Sequence, residues 1–332
     1  MISRRQVLAG ASALGLVSSA GFAAKLPDAE ARVSIATMGT RTSTWGRVLS
    51  VWAKATEKQV DNRLDIQLTH DGGEFALDEA DVVARIQAGR WDGAALSQVG
   101  LSMLHPAIAA LGLPGRYADL AAIQKAIAAS QEDFNAALAK AGFTCLGWGV
   151  MGQTRLFSRG IAVRGPSDLA GQTVWQPPAD AVTAALLATT GGTPAPFPQA
   201  QMRSQLKKGT VKLAVSTASD AVEHGWSDEL DTAVAMPLGW SVGAIVVRTD
   251  ALAALPKDLM DAMLATSPLA GRALADRPDV VDDATFAELS KTLSLTELST
   301  EHQTQWKAVF DQVAESVISG GAVSKELLDR LG

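Results

Sequence analysis

The chain has 332 residues, of which 47% are hydrophobic and 19% are charged, and its formal net charge is −6. This composition is that of a soluble globular protein, and a net negative chain is a poor nucleic-acid binder because the phosphate backbone repels it. The roughly 300 residues beyond the N-terminal segment exceed one ordinary hydrophobic core, so we expect two lobes.

The N-terminal segment predicts export from the cytoplasm. Arg4 and Arg5 precede a short stretch of apolar and small residues, which is the pattern of a cleaved secretory signal. The motif S-R-R-Q-V-L around them resembles a twin-arginine signal, which directs proteins that are exported already folded; an ordinary secretory signal is the alternative. We therefore expect residues 1–24 to be a signal peptide, cut between Ala20 and Ala24, and the mature protein to be periplasmic.

Hydrophobic periodicity predicts alternating strands and helices in the first hundred residues. The expected strands cover residues 32–37, 63–69 and 91–96, and the expected helices cover residues 45–60 and 79–88. Gly89 ends the second helix, as glycine commonly does, and residues 97–100 are expected to form the loop that leaves the third strand. Such alternation predicts an α/β fold with a mainly parallel sheet.

The alternation continues towards the C-terminus. A long helix is expected over residues 120–141 and a strand over 143–150, and residues 167–217 read as loop, strand, helix, Gly-Pro turn, helix and strand. Strands at 232–237 and 243–248 are expected to cross back between the lobes. The tail over 301–331 is expected to be helical, with one apolar face that we interpret as packing: Trp306, Val309, Phe310, Val313 and Val317.

One helix–Gly–strand unit occurs twice, 120 residues apart, over residues 85–97 and 205–217. Gly89 in the first copy matches Gly209 in the second, and the hydroxyl residue Ser97 matches Thr217. Open α/β sheets bind ligands at the C-terminal ends of their strands. Two copies therefore predict two sheet edges that face one cleft; a chance match of a common unit is the alternative.

Four segments follow one another along the chain: ARIQAGRWDGA from Ala84, PSDLAGQTV from Pro166, GGTPAP from Gly191 and LKKGTV from Leu206. In their order and spacing they resemble the solute-binding proteins of tripartite ATP-independent periplasmic (TRAP) transporters, the DctP-like family. The resemblance implies a periplasmic-binding-protein-like fold, with two α/β lobes joined by hinge strands and a long connecting helix. It also implies a cleft that closes on one small organic molecule and membrane permease subunits that receive the ligand. No cofactor is expected, because the sequence contains no cofactor motif.

The resemblance also implies how the chain divides between the lobes. We expect residues 25–150 and about 240–285 to form lobe I, and residues 151–239 to form lobe II. Residues 286–332 are expected to form C-terminal helices that pack across both lobes.

In that family, two arginines commonly grip the carboxylate of the ligand. Arg155, in the segment GQTRLFS, occupies the place of the first, and Trp175 stands where the second is expected. A guanidinium binds a carboxylate through two parallel hydrogen bonds, whereas an indole has one donor and a large apolar face. We therefore expect a ligand that is more apolar or aromatic than a simple carboxylate held by two arginines.

Further candidate ligand-binding residues lie in predicted loops and at predicted strand ends. Aromatic faces in a cleft favour apolar, aromatic or cationic ligands, and hydroxyl and amide groups supply hydrogen bonds. Core packing and turn formation are the alternatives for these residue types. Beside Trp175 and Arg155, the candidates are Trp45, Trp226, Trp240, Ser97, Gln98, Gln176, Ser216 and Thr217.

A periplasmic enzyme is the alternative function. The segment G-W-S-V-G around Ser241 matches the nucleophile elbow of serine hydrolases, but that motif needs a helix after the serine, and the β-branched residues that follow favour a strand. The four histidines show no metal-ligand spacing, and no phosphate loop or dinucleotide motif occurs. A cofactor-dependent enzyme exported by the twin-arginine route remains an alternative.

Cys145, the only cysteine, lies in an apolar run and is expected to be a buried, inert thiol.

Overall fold

The fold is known for most of the chain beyond its N-terminal segment. A computed structural model describes residues 28–71, 77–275 and 278–332, so the predicted signal peptide over residues 1–24 lies outside the described residues. No helix in these three ranges is long and apolar enough to cross a membrane.

Ten strands form in the described residues, and hydrogen bonds join them all. They are β1 (Ala31–Thr37), β2 (Leu64–Thr69), β3 (Gly93–Ser97), β4 (Phe143–Ser158), β5 (Thr173–Gln176), β6 (Thr193–Pro196), β7 (Leu213–Ser216), β8 (Thr232–Val234), β9 (Gly239–Arg248) and β10 (Ser294–Thr296). The spatial order is β2-β1-β3-β9-β4-β7-β5-β6, with β8 beside β4 and β10 beside β8. The three strands predicted before residue 100 are present, within two residues of their predicted bounds.

The helices fill most of the intervals between strands. They are α1 (Thr44–Gln59), α2 (Glu79–Gln87), α3 (Gln98–Leu104), α4 (Leu120–Lys140), α5 (Ala181–Thr190), α6 (Met202–Lys208), α7 (Ala218–Glu223), α8 (Thr249–Ala253), α9 (Lys257–Ala275), α10 (Pro278–Leu289), α11 (Thr300–Ser319) and α12 (Lys325–Leu331). Both copies of the repeated unit end their helix at a glycine in the left-handed region, with φ of 70° at Gly89 and 72° at Gly209. Glycine reaches this conformation without the steric cost of a β carbon.

The strand β4 belongs to two sheets and joins the two lobes. Its residues 143–154 pair antiparallel with β9 in the first sheet, and residues 155–158 pair with β7 in the second. The parallel pairs lie within each lobe, among β1, β2 and β3 on one side and β5, β6 and β7 on the other. A register shift between Val150 and Gly152 lies just before the crossing. The sequence predicted this strand only to residue 150; its extension carries the chain into the second lobe.

Each sheet has its own apolar core, and a third core spans both lobes. Helices α1 and α9 pack on the first sheet around Ile35 and Trp52, while Phe157, Trp175 and Trp226 lie in the core of the second. Helix α11 packs on α5, and α12 packs on α4, so the C-terminal helices contact both lobes. The predicted packing face of α11 is confirmed: Trp306, Phe310, Val313 and Val317 are buried, and Val309 packs beside them.

The prediction of a loop at residues 97–100 is wrong, because α3 begins at Gln98. Ser97 caps the helix through its side-chain oxygen, which accepts a hydrogen bond from the N–H of Val99 at 3.1 Å. The carboxylate of Glu79 accepts from the backbone N–H groups of Ser97 and Gly100 at 2.6 and 2.8 Å. The local sequence does not favour a helix here, because a glycine lies in its first turn. The carboxylate of Glu79, 18 residues earlier in the chain, stabilises the start of α3 by accepting hydrogen bonds from its free N–H groups.

Candidate ligand-binding cleft

A cleft of about 190 Å³ lies between the two lobes. The first lobe contributes the end of β1, the start of α1 and the junction of β3 with α3 to the wall of the cleft. The second lobe contributes the connections from β5 to α5 and from β7 to α7. The long strands β4 and β9 contribute Met151, Thr154 and Trp240. The two copies of the repeated unit meet here, with Ser97 and Thr217 both among the lining residues.

Four helices, α1, α3, α5 and α7, begin at this cleft. Their first turns present unpaired N–H groups and the positive end of the helix dipole, which together attract negative groups. Each helix has a side-chain cap that accepts a hydrogen bond from a first-turn N–H: Ser43, Ser97, Asp180 and Thr217, respectively. The predicted ligand-binding hydroxyls of Ser97 and Thr217 therefore have a structural role as helix caps.

Carboxylates lie at two of these helix starts, as a further partner at α3 and as the cap itself at α5. At α3, Glu79 accepts from the Ser97 hydroxyl at 2.6 Å in addition to the two backbone N–H groups. At α5, Asp180 accepts from the N–H groups of Val182 and Thr183 at 3.0 and 3.1 Å. Burial raises the pKa of both the Glu79 and the Asp180 carboxyl, and these hydrogen bonds oppose that rise. Both carboxylates are thus engaged by the helix starts.

Two more carboxyl groups lie at the N–H groups of helix starts: Asp282 at α7 and Glu223 at α1. Asp282, on α10, accepts from the N–H of Ser219 at 2.9 Å, and the Glu223 carboxyl, on α7, lies close enough to the backbone N–H of Thr44 for that group to lower its pKa. Burial raises the pKa of Asp282 to about 6 and that of Glu223 to about 7, and the neighbouring charge of Asp220 adds to both rises. The contact between Glu223 and Thr44 joins the second lobe to the first across the cleft.

Three of the predicted tryptophans line the cleft: Trp45, Trp175 and Trp240. The indole N–H of Trp175 donates to the carbonyl oxygen of Phe197 at 3.0 Å, and that of Trp240 donates to the carbonyl oxygen of Tyr117 at 3.0 Å. Trp45 is 6% exposed, and its indole N–H has no acceptor among the described residues. Trp45 therefore brings both an apolar ring and an unsatisfied donor to the cleft.

Arg155 lies away from the cleft, against α10. Thr154 is among the lining residues of the cleft, whereas Arg155, the next residue on β4, is not. The Arg155 guanidinium lies 4.1 Å from the ring centroid of Phe286 and 3.6 Å from the carboxylate of Asp283. It also donates to the side-chain oxygen of Gln153 at 2.7 Å, and burial lowers its pKa. Its position therefore gives no support to the prediction that Arg155 contacts the ligand.

Trp226 and Gln176 also lie outside the cleft lining. Trp226 is 0% exposed in the core of the second lobe, with ring centroids 6.2 Å from Phe157 and 6.5 Å from Trp175. This position corrects the prediction that it faces the ligand, because the apolar ring is enclosed by the core. The side-chain amide of Gln176 is 3.5 Å from the carbonyl oxygen of Asp180, beside the cleft rather than in its lining.

The remaining polar candidates all lie at the cleft. The side-chain oxygen of Gln98 accepts from the N–H of Val242 at 2.9 Å, and the Ser216 hydroxyl donates to Asp220 at 3.2 Å. Each of these groups thus has a partner within the chain, and their contact with a ligand stays a prediction. The four lining residues are Ser97, Gln98, Ser216 and Thr217.

Sequence reasoning missed the acidic side chains of the cleft. The preference for aspartate at helix N-caps could have found Asp180, which directly precedes α5. Nothing local indicates Glu79, which acts on a helix start 18 residues later, or Glu223, which reaches a helix in the other lobe. The acidic residues that line the cleft are Asp78, Glu79, Asp180, Asp220 and Glu223.

The surroundings of Ser241 do not resemble those of a catalytic serine. Strand β9 continues through Ser241 to Arg248, so the chain does not make the strand-to-helix turn of a nucleophile elbow. The Ser241 hydroxyl lies 3.4 Å from the sulfur of Met151.

Across the described residues, no three His, Cys, Asp or Glu side chains are placed to hold a metal ion. Burial raises the pKa of the Cys145 thiol to about 12, so this thiol stays protonated at neutral pH.

The fold and the interlobe cleft define a class, the two-lobed solute-binding proteins. Within it, the chain belongs to the bacterial extracellular solute-binding proteins of family 7 (DctP), whose family model matches residues 35–320. The resemblance noted in the sequence is thereby confirmed. A comparison with curated protein sequences gave no match.

Solved TRAP periplasmic solute-binding proteins share the whole fold. One from Sulfurospirillum deleyianum, with bound succinate, is 16% identical with a TM-score of 0.83 over 91% of this chain and 98% of that one. A Bordetella pertussis extracytoplasmic solute receptor that binds pyroglutamic acid is 13% identical, with a TM-score of 0.82 over 90% and 99%. One from a Sulfitobacter species, with bound β-D-galacturonate, is 12% identical, with a TM-score of 0.80 over 90% and 98%. The predicted two-lobed α/β fold is confirmed.

Proposed function

We propose that this chain is an extracytoplasmic receptor that binds one small organic molecule between its lobes and delivers it to the membrane permease subunits of a TRAP-type transporter. The observation that carries the proposal is the interlobe cleft, to which both lobes contribute helix starts and tryptophans. Membership of the family supports the transport role. In this proposal residues 1–24 direct export to the periplasm and are then removed.

The ligand, in this proposal, is not a simple carboxylate held by two arginines. The solved relatives from Sulfurospirillum and Bordetella contain succinate and pyroglutamic acid, which are both acids. Here Trp175 lines the cleft and Arg155 packs against α10, so neither family position offers a guanidinium to the cleft. The proposed contact residues are Trp45, Ser97, Gln98, Trp175, Ser216, Thr217 and Trp240.

Ligand binding closes the cleft in this proposal by bending the connections between the lobes. Strands β4 and β9 are among these connections, because β4 pairs with β9 in the first sheet and with β7 in the second. The contact of Glu223 with Thr44 favours the closed arrangement because it links α7 to α1. A ligand that contacts both lobes shifts the open–closed equilibrium towards the closed form.

A ligand screen on the purified mature chain tests the proposal. Compounds that bind the native state raise the melting temperature, and binding next to Trp45, Trp175 and Trp240 changes the tryptophan emission. We expect a compound that does both also to lower the radius of gyration in X-ray scattering, because the lobes close. Hydrolytic turnover that Ser241→Ala abolishes, with no compound changing melting or emission, would instead favour the enzyme alternative.

A further inference from the structure

The charged side chains that line the cleft are almost all acidic. Five carboxyl groups line it, from Asp78, Glu79, Asp180, Asp220 and Glu223. Among the described residues in the lining, His224 is the one basic side chain, and neither lysine nor arginine is present. A ligand that carries a negative charge would meet these carboxyl groups and no lysine or arginine in the lining, which disfavours its burial here.

The helix starts at the cleft are also closed to an anion. A helix N-terminus is the usual site where backbone N–H groups bind a carboxylate or phosphate. Here carboxylates of the chain itself already accept from those N–H groups at α3 (Glu79), α5 (Asp180) and α7 (Asp282), and Glu223 lies beside the N–H of Thr44 at α1. An anionic ligand would have to displace them.

Asp220 and Glu223 lie together on one helix and each has few hydrogen-bond partners. Both lie on α7 and line the cleft. The Asp220 carboxylate accepts one side-chain hydrogen bond, from Ser216 at 3.2 Å, and the Glu223 carboxyl lies beside the backbone N–H of Thr44. Each carboxylate has further lone pairs, so this part of the wall is able to accept hydrogen bonds and balance a positive charge.

The aromatic wall completes a site for a cation with a polar end. Trp45, Trp175 and Trp240 line the cleft, and an indole face attracts a positive charge, most strongly when water is excluded. The Trp45 indole N–H and the Thr44 hydroxyl are both buried without a hydrogen-bond partner in the described part of the chain. Buried polar groups are almost always bonded, and a ligand oxygen at this wall of the cleft is one way to satisfy these two.

We propose that the cleft binds a small organic cation, an amine or quaternary ammonium compound that carries a hydroxyl or carbonyl oxygen. The positive end lies beside Asp220 and Glu223, and the oxygen lies near Trp45 and Thr44. This inference rests on the proposed function, because it specifies the ligand of the same interlobe cleft. It separates this chain from relatives whose structures contain succinate or pyroglutamic acid.

Isosteres of different charge test the inference on the full mature chain. One set of probes has similar shapes but different charges: choline is positive, 3,3-dimethylbutan-1-ol is neutral and 3,3-dimethylbutanoate is negative. Other hydroxylated amines are compared with neutral and anionic analogues in the same way. Calorimetric titration is expected to show cations binding at least about tenfold more tightly than their neutral analogues. Tighter binding of the anions would overturn the cation inference and leave the receptor function standing. No binding by any class would count against both.

Charge-neutralising variants locate the interaction. At pH 8, above the pKa of about 7 of Glu223, Asp220→Asn and Glu223→Gln keep the shape of each side chain and are expected to weaken cation binding roughly tenfold each. Asp311→Asn makes the same charge change on the surface of α11, where the side chain is 66% exposed, and is expected to leave binding unchanged. Equal affinity for cations in all three variants would contradict the placement beside α7. Melting curves of each variant without ligand confirm that it is folded.

Discussion

The backbone of Gly152 lies against the buried carboxyl group of Asp282. A β carbon at position 152 would lie 2.6 Å from Cγ of Asp282 and 2.8 Å from one of its oxygens. The same carboxyl group accepts hydrogen bonds from the N–H groups of Gln153 at 3.2 Å and Ser219 at 2.9 Å. Asp282 therefore ties the crossing point of β4 to the start of α7, and this tie requires glycine at position 152.

Gly152→Ala is expected to destabilise the protein. The new methyl group meets Asp282, and the φ of 153° at this position is strained for a residue with a side chain, so the free energy of unfolding should fall by about 2–4 kcal/mol. Gly142→Ala is the matched control, because Gly142 has φ of 87° but no atom within 4 Å of an added β carbon. Its loss should be about 1 kcal/mol, from backbone strain alone. Equal losses in urea denaturation would contradict the role of Asp282.

Gly243→Ala is expected to displace Trp45. A β carbon at Gly243 would lie 2.6 Å from the carbonyl oxygen of Leu96 and 2.8 Å from the ring of Trp45. The overlap should cost about 1–3 kcal/mol of stability and shift the tryptophan emission. Gly239→Ala, in the same strand, is the control, since its β carbon would make ordinary contacts of 3.4 Å or more. An unchanged emission spectrum in Gly243→Ala would contradict this packing.

Local signals in the sequence predicted the elements of the fold better than the direction of side chains at the cleft. Gly89 and Gly209 ended their helices as predicted, because left-handed glycine is a local requirement. The direction of Arg155 was not predictable, because the register shift between Val150 and Gly152 interrupts the simple alternation of β4. The enclosure of Trp226 depends on residues from several elements, such as Phe157 and Trp175, which no local pattern reveals.

Glu223 is expected to make stability depend on pH. Its pKa rises from 4.5 to about 7 in the folded protein, chiefly through burial and next through the charge of Asp220. Asp282 also raises it, whereas Arg47 and the hydrogen bond from Thr44 lower it. A raised carboxyl pKa favours the protonated form, so this contribution is complete below pH 4.5 and is lost as the pH rises through about 7.

Glu223→Gln should therefore remove part of the decline in stability between pH 4.5 and 7, because glutamine does not ionise. Urea denaturation at several pH values measures this effect. Part of the decline in stability should persist in the variant. The buried Asp282, whose pKa is raised from 3.8 to about 6, still loses its proton as the pH rises. A pH profile identical to that of the unaltered protein would show that Glu223 does not titrate in this range.

Arg155→Met is expected to leave ligand affinity unchanged. The guanidinium faces α10, and two of its nitrogens, Nε and Nη1, have no hydrogen-bond partner among the described residues. The variant also removes a favourable charge beside the buried Asp282 carboxyl, so its stability is expected to fall and is measured separately from affinity. Titration with a ligand found in the screen measures the affinity. A large loss of binding, reversed in Arg155→Lys, would restore a carboxylate-binding role for this position.

The sharing of β4 between both sheets has a consequence for how the protein unfolds. A strand that supplies hydrogen bonds to β9 at one end and to β7 at the other cannot be lost from one lobe without exposing an edge of the other. The helices α11 and α12 strengthen this link because they cover both lobes. The two lobes should therefore unfold in a single cooperative transition, with coincident melting by circular dichroism and by tryptophan emission.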